Sequence, residues 1–211
     1  MNSGAFMIFQ STCSGCGRRT HSVCIACRQA LVESITDHVP GAPESVVYAL
    51  AYRGLARKLI LGLKYRNERA TSRLLAAVLV HRLDADSLMA DVVTWAPTSA
   101  KRRRQRGHDQ AELIARALAR QIHKPCRSLL VNESIATQTG AGRAQRLSAP
   151  QFRGRRCRRD HHAQYNHVLV VDDVVTTGAT LRAAAHALCV AGAKRVSTLA
   201  VAATPALESR R

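Results

Sequence analysis

Apolar residues recur along this chain with the spacing of helices in some segments and of buried strands in others. Leu55, Leu59 and Leu63, with basic residues between them, predict an amphipathic helix over residues 52–64. Three further helices are predicted, over residues 69–83, 108–121 and 180–191. Three short apolar runs have the length of buried strands and lie at residues 91–96, 167–171 and 195–202. The last strand, helix and strand form a βαβ unit, which predicts an α/β fold with a parallel sheet flanked by helices.

Two segments show neither the apolar spacing of a helix nor that of a strand. Residues 13–31 form a small Cys-rich module, and Pro40, Gly41 and Pro43 after it indicate a linker. We therefore predict two parts, a module with its linker at residues 1–42 and an α/β domain at residues 43–211. Residues 138–154 are polar and rich in Gly and Arg, which predicts a long loop. Loops of that length inside compact domains often carry function.

Composition narrows the class of protein. Hydrophobic residues make up 46% of the chain and aromatic residues only 4%, so we expect a core of Ala, Leu, Val and Ile between helices and a parallel sheet. The formal charge of +18 implies a field that attracts phosphates, nucleic acid or acidic partners, although Arg-rich coding by a GC-rich genome also raises the charge.

No apolar run reaches the roughly 20 residues of a membrane span, and residues 1–10 lack the basic start of a signal peptide. We expect a cytoplasmic protein without membrane insertion.

The segment from Val170 to Leu181 carries the most specific chemistry in the sequence. An apolar strand ends in two carboxylates, Asp172 and Asp173, and a turn rich in Thr and Gly leads into a helix. Such a turn directs backbone N–H groups, Thr hydroxyls and the positive end of the helix dipole to one point, which favours a phosphate. Gly178 has no Cβ to obstruct that phosphate, and the carboxylates lie where they can hold ribose hydroxyls directly or through Mg²⁺.

Other phosphate-handling classes fit this segment less well. Receiver domains place an acidic pair after a strand but lack the Thr-Thr-Gly-x-Thr turn, and haloacid-dehalogenase-like phosphatases need alternating acids, whereas Asp172 and Asp173 are adjacent. A P-loop needs Gly-Lys followed by Ser or Thr, which this turn lacks. The segment instead resembles the motif with which type I phosphoribosyltransferases bind 5-phosphoribosyl-1-pyrophosphate (PRPP).

The order of motifs makes the sequence similar to the ComF family of competence-associated, phosphoribosyltransferase-like proteins. A Cys-rich head, Lys64-Tyr65, a block from Pro97 to Gln110 and the PRPP motif follow one another as in that family. Residues 106–110, Arg-Gly-His-Asp-Gln, resemble its Arg-Gly-Phe/Tyr-Asn-Gln stretch, with His108 and Asp109 as departures. In the predicted loop, Gln138 and Arg146 resemble the family's Gln and Arg before a Phe, whereas its Asn is Ala149 here.

The resemblance implies which residues handle PRPP. The expected catalytic residues are Asp172, Asp173 and Arg106. The departing pyrophosphate is expected on Arg106, Gly107 and Arg146. PRPP, with Mg²⁺, is expected to contact the whole turn, namely Asp172, Asp173, Val174, Val175, Thr176, Thr177, Gly178, Ala179 and Thr180. Gly107 and the helix start after it also predict a second anion cradle. The neighbouring Arg102, Arg103 and Arg104 indicate a solvated basic face or a nucleic-acid contact.

Two close cysteine pairs, Cys13-x-x-Cys16 and Cys24-x-x-Cys27, lie seven residues apart. Each pair can bind a metal from one tight turn, and four thiolates complete a tetrahedral Zn²⁺ site. The alternatives are a redox dithiol pair or cysteines that occur together by chance. In a reducing compartment a doubled Cys-x-x-Cys pattern favours metal over disulfides, so we predict a structural zinc knuckle.

Three functions are compatible with these motifs. The first is an enzyme that transfers phosphoribose from PRPP to a nucleobase-like acceptor. The second is a non-catalytic protein that binds single-stranded DNA and acts with DNA-uptake or repair machinery, and the third is a regulator that senses PRPP. Asp172 and Asp173 favour PRPP binding in all three. The low aromatic content argues against extensive stacking on single-stranded bases.

Overall fold

A computed structural model of the chain describes residues 12–20, 22–65, 70–133, 151–155 and 165–205. Arg146 and most of the predicted loop at residues 138–154 therefore lie outside the described residues. The strands of the described part are β1 (Val47–Ala51), β2 (Val92–Trp95), β3 (Leu130–Asn132), β4 (Phe152–Gly154), β5 (His167–Val175) and β6 (Arg195–Ala203). Its helices are α1 (Ile25–Glu33), α2 (Gly54–Tyr65), α3 (Thr71–Val80), α4 (Ala85–Leu88), α5 (Ala100–Arg106), α6 (Gln110–Gln121) and α7 (Ala179–Val190).

The main sheet has the strand order β1-β6-β5-β2, and every neighbouring pair is parallel. Strands β5 and β6 with α7 between them form the predicted βαβ unit. A second, smaller sheet pairs β3 with β4 in antiparallel fashion. The predicted α/β fold, a parallel sheet flanked by helices with a Cys-rich module at the N-terminus, is confirmed. Because all four strands run the same way, their carboxyl ends meet at one edge, where ligands of such sheets bind.

The sheet is covered on both faces, so successive strand residues point into two separate cores. Leu169 and Val171 of β5 belong to the core built with α2, α3 and α6, and Val168 and Val170 belong to the core built with α7. The first core also contains residues of the Cys-rich module, namely Cys13, Val23, Cys27 and Leu31. The module therefore packs continuously with the main domain, and the division between residues 42 and 43 stays a prediction.

The structure corrects two local predictions. Strand β5 does not end at Val171 but continues to Val175, because Asp172 and Val174 keep ladder partners on β6. The basic run before Gly107, which follows a predicted strand where a pyrophosphate loop of a phosphoribosyltransferase would lie, is helix α5. Ser99 caps its start by accepting a hydrogen bond from the Arg102 N–H, and Gly107, with φ of 73°, ends it in the left-handed conformation.

Strands β1, β3 and β4 were not predicted, and β4 occupies the end of the segment that we expected to be a loop. All are short, and their pairing with distant strands supplies the stability that a run of three to five residues lacks alone. Among the residues described, no helix has both the length and the apolar surface that crossing a bilayer requires.

Candidate functional site

The junction of β5 and α7 has the geometry of an anion cradle. Gly178 begins α7 in the left-handed region, with φ of 75°, and has no side chain with which to cap the helix. A Cβ at this position would come within 2.8 Å of Arg182 Nη1 and 3.3 Å of Pro43 Cγ. The turn thus favours glycine for its left-handed conformation, and a Cβ there would also force the end of the Arg182 side chain to move. The first turn of α7 lies at the carboxyl edge of the sheet, and the N-terminus of a helix favours an anion.

Side chains around this turn fix its shape. Arg182, in the first turn of α7, donates a hydrogen bond of 2.7 Å from Nη1 to the carbonyl of Thr177. The Thr177 hydroxyl accepts from the Ala179 N–H at 3.4 Å, and Thr176 and Thr204 hydroxyls lie 3.4 Å apart. Arg182 was not singled out from the sequence, because a lone basic residue in a helix has no distinguishing pattern. It adds a positive charge beside the expected phosphate.

The two carboxylates of the motif have different surroundings. Asp173 Oδ2 lies 2.7 Å from the Lys64 ammonium, and both side chains are largely buried, at 15% and 16% exposed. Asp172 Oδ1 accepts a 2.7 Å hydrogen bond from the Asp173 N–H. Burial raises the pKa of Asp172 well above its usual value, and the adjacent Asp173 carboxylate raises it further. With its pKa raised, Asp172 holds a proton more readily than a free carboxyl group, while Lys64 pairs with the charge of Asp173. A cation bound here, or ribose hydroxyls that donate to the pair, would favour the ionised form of both carboxyls.

The motif at residues 106–110 meets the end of α2. The Arg106 guanidinium lies 5.3 Å from the centre of the Tyr65 ring and donates to Gln110 Oε1 at 2.8 Å. The His108 Nε2 lies 2.8 Å from the Leu63 carbonyl. Because a carbonyl oxygen only accepts, this nitrogen carries the proton. Lys64-Tyr65 and the residues around Arg106 are thus brought together beside Asp173. In the sequence, Lys64 and Tyr65 are part of the resemblance to the ComF family, but no local pattern indicates a role for them.

Asp109 fills the start of α6. Its carboxylate accepts hydrogen bonds from the Thr98 N–H at 2.7 Å and the Ala111 N–H at 3.1 Å. The second anion cradle that Gly107 and this helix start predicted is therefore occupied by the chain's own carboxylate. Burial raises the pKa of Asp109, and the negative charges of Glu112 and Asp173 add to that rise. Arg106 and Gly107 remain beside the PRPP motif, but this helix start does not offer them an open anion site.

The basic residues of α5 are presented to solvent. No residue of this helix is buried, and Arg102, Arg103 and Arg104 lie on its exposed surface. The helix follows β2, so it stands at the same sheet edge as the PRPP motif. Both interpretations of this run from sequence, a solvated face and a nucleic-acid contact, agree with that exposure.

The four cysteines of the N-terminal module form one cluster. The sulfurs of Cys13, Cys16, Cys24 and Cys27 all lie within 4.8 Å of one another. Four thiolates around zinc, each about 2.3 Å from the ion, stand about 3.8 Å apart, and the Cys16 and Cys24 sulfurs are 3.6 Å apart. The Cys24 N–H donates to the Cys13 sulfur at 3.4 Å, as expected for a thiolate that binds metal from a tight turn. These residues fit a structural metal.

The thiol pKa values show the same preference for a cation. Burial tends to raise the pKa of Cys13, but the backbone N–H groups of Cys24, Cys16 and Gly15 outweigh it and lower that pKa to about 6. Burial raises the pKa of Cys27 to about 12, and the neighbouring thiols and the Cys13 charge contribute to that rise. The charge of the Cys13 thiolate thus disfavours ionisation of Cys27. A bound dication removes this repulsion.

Comparison with known proteins places this geometry in a class. Residues 109–211 match the model of the phosphoribosyl transferase domain family, so this is a protein of the phosphoribosyltransferase fold. The chain is also similar to the DNA utilization protein YhgH of Escherichia coli strain K12, with 29% identity over 197 residues that cover 87% of this chain and 86% of that protein. The DNA utilization protein YhgH of Shigella flexneri matches to the same extent. The predicted resemblance to the ComF family is confirmed.

Proposed function

We propose that this protein binds PRPP, together with Mg²⁺, at the junction of β5 and α7. The observation that carries the proposal is the helix start at Gly178, a residue with no side chain of its own to cap the helix, on the turn that follows the largely buried acidic pair. A phosphate needs hydrogen-bond donors and a ribose needs acceptors, and here both stand on one strand and turn. Residues 172–180 as a whole are the proposed PRPP-binding segment.

Each group in the junction has a proposed task. The 5-phosphate lies against the N–H groups of Thr177, Gly178 and Thr180, and the ribose hydroxyls donate to Asp172 and Asp173. Lys64 keeps the Asp173 carboxylate in position for this contact. Mg²⁺ supplies positive charge to the pyrophosphate when PRPP is bound.

We further propose phosphoribosyl transfer as the activity of this site. The bond between ribose C1 and the pyrophosphate oxygen breaks, and pyrophosphate leaves with the electron pair. A nitrogen of a nucleobase-like acceptor forms the new bond to C1 and loses its proton to solvent. Positive charge must stabilise the leaving group, which is the proposed task of Arg106 and Arg146, while Gly107, which has no side chain, leaves room for the pyrophosphate beside Arg106. A protein that keeps PRPP binding without this chemistry is the sensor, the third function considered from sequence.

Titration calorimetry with PRPP and Mg²⁺ tests the binding. Two charged hydrogen-bond acceptors are lost in Asp172→Asn with Asp173→Asn, at roughly 1.5–3 kcal/mol each, so we expect affinity to fall by more than about 100-fold. Asp37→Asn, an exposed carboxylate on the module side, is the matched control. Equal affinity in all three proteins would refute the assignment. Pyrophosphate should be released when nucleobases are added if the protein is an enzyme. A sensor would bind PRPP without releasing pyrophosphate.

A second candidate function is binding of single-stranded DNA. It is favoured by the charge of +18, by the exposed basic helix α5 and by the name of the relatives, DNA utilization protein. In this proposal the protein acts with DNA-uptake or repair machinery in the cytoplasm. There its thiols stay reduced, and we propose zinc as the metal of the four-cysteine cluster.

A further inference from the structure

A cavity of about 410 Å³ lies between α3 and α6, away from the PRPP motif. It is lined by Ala70, Ser72, Arg73, Leu113, Arg116 and Arg120. Helix α6 begins beside the acidic pair and leads to this cavity, whose lining residues Leu113 to Arg120 lie three to ten positions beyond Gln110, or about 4.5 to 15 Å at 1.5 Å per residue. No proposed PRPP contact lines it. The cavity is therefore a separate feature with its own chemistry.

The charge of the cavity is strongly positive. Within the described part of the chain, the side chains of Arg73 and Arg120 have no carboxylate partner, and Arg116 is paired with Glu112 at 2.9 Å. Arg116 and Arg120 lie one turn apart on α6, where like charges destabilise a helix. Three guanidiniums around one concave surface with a single carboxylate repel one another, and a bound anion relieves that repulsion.

The two helices hold these arginines in fixed relative positions. Gln121 Nε2 donates to the Arg73 carbonyl at 3.0 Å, which ties the end of α6 to the start of α3. The same two helices contribute Leu75, Leu79, Ile114 and Leu118 to the first core, where all four are fully buried. The Arg116 guanidinium also lies 5.6 Å from the centre of the Trp95 ring. A site on packed helices loses less conformational entropy on binding than one on loops.

The chemistry of the lining selects the ligand. Guanidinium groups bind phosphate oxygens through paired hydrogen bonds, which makes arginine the preferred residue for phosphate recognition. None of the six lining residues is aromatic, so the cavity offers no surface for stacking a base. A concave basic surface with arginines one helical turn apart can follow a flexible phosphodiester chain.

We infer that the cavity lined by Arg73, Arg116 and Arg120 binds backbone phosphates of single-stranded DNA, at a site separate from the PRPP motif. The inference rests on the second candidate function and names its contact surface. Binding there is independent of base sequence, because only phosphates are contacted. PRPP, held at the other end of α6, does not compete.

Fluorescence anisotropy with a labelled oligothymidine tests the inference, using Arg73→Gln with Arg120→Gln. The matched control is Arg57→Gln with Lys58→Gln, which removes the same charge from exposed positions on α2. We expect the cavity variant to lose about 10-fold or more in affinity and the control less than about 2-fold. Loss of two phosphate contacts should also reduce the slope of log affinity against log salt by about 1.4.

Three results of these measurements would contradict a proposal. An equal loss in both variants would overturn the inference, since general charge would then explain binding. If the wild-type protein fails to bind the oligothymidine even at low salt, the proposed DNA function itself fails. If the cavity variant loses affinity for a free nucleoside triphosphate but keeps its affinity for DNA, the site serves small phosphates and the inference is again overturned. Unchanged PRPP affinity and melting temperature in the cavity variant show that its fold is intact.

Discussion

Lys64 and Asp173 form a largely buried ion pair of 2.7 Å that joins the end of α2 to the strand of the PRPP motif. The pair connects two segments that lie far apart in the sequence, and it sets the position of one of the two proposed ribose acceptors. Asp172 and the buried Asp109 lie close enough to influence one another's charge. Lys64 therefore offsets negative charge on Asp172 as well as on its direct partner Asp173.

Removal of Lys64 should weaken both the fold and the site. In Lys64→Met a buried carboxylate loses its partner, which costs about 3 kcal/mol of unfolding free energy, measured by urea denaturation. Lys64→Arg should restore most of the PRPP affinity that Lys64→Met loses. In the double variant with Asp173→Asn the losses should be less than additive. Strictly additive losses would show that the two groups act independently.

The pH dependence of stability should reveal the buried carboxylate of Asp109. Its pKa is raised in the folded protein, so the folded state holds a proton that the unfolded state has released. The contribution of Asp109 to the free energy of unfolding is then fully present below about pH 4, and it is lost as pH rises through the raised pKa of the folded state. Asp109→Asn removes this titration and should flatten that decline. Chemical denaturation at several pH values measures it, and an unchanged slope would contradict the assignment.

Zinc should copurify with the protein at one ion per chain. Cys13→Ser should abolish zinc binding and lower the melting temperature, because Cys13 belongs to the same core as α2 and α3. Cys189→Ser, an exposed cysteine outside the cluster, is the control. PRPP affinity should be retained, since α7 packs on the opposite face of the sheet. Elemental analysis that finds almost no metal in carefully prepared wild-type protein would reject the site.

Gly178→Ala should damage PRPP binding more than stability alone explains. Alanine in the left-handed conformation costs about 1–2 kcal/mol, and the new Cβ would meet Arg182 beside the expected phosphate. Gly192→Ala, also at positive φ but at the far end of α7, controls for backbone strain. Calorimetry should show lost affinity only for Gly178→Ala. Equal affinities in the two variants would place the phosphate elsewhere.

The basic helix α5 should contribute to DNA binding independently of base sequence. Arg102→Ala, Arg103→Ala and Arg104→Ala together should weaken binding to all single strands alike and flatten the dependence on salt. Gel-shift titrations at two salt concentrations, with and without PRPP, measure this. Because α5 stands at the sheet edge that carries the PRPP motif, competition by PRPP is expected for the part of binding that α5 supplies. If the triple variant shifts DNA as the wild-type protein does, the basic residues of α5 form only a solvated surface.

Contiguous patterns were enough to predict the βαβ unit, the turn around Gly178 and the four cysteines. In each of these the residues that act together lie within one short segment, so local spacing already determines which groups meet. Helix α5 was missed as a helix because five basic residues obscure the capping signals of Ser99 and Gly107. The cradle expected at α6 was wrong because the sequence does not show that the Asp109 carboxylate turns back to cap its own helix.

By itself, the sequence determined the class of fold, the position of the proposed PRPP motif and the four cysteines that could hold a metal. The tertiary structure alone decided that Lys64 pairs with Asp173, and that Arg73 on α3 faces Arg116 and Arg120 on α6. These contacts join residues on different elements, and their geometry depends on how the helices pack against a sheet whose strand order is not the order of the chain. Packing of distant segments, rather than local propensity, therefore created the charge arrangement on which the proposed functions depend.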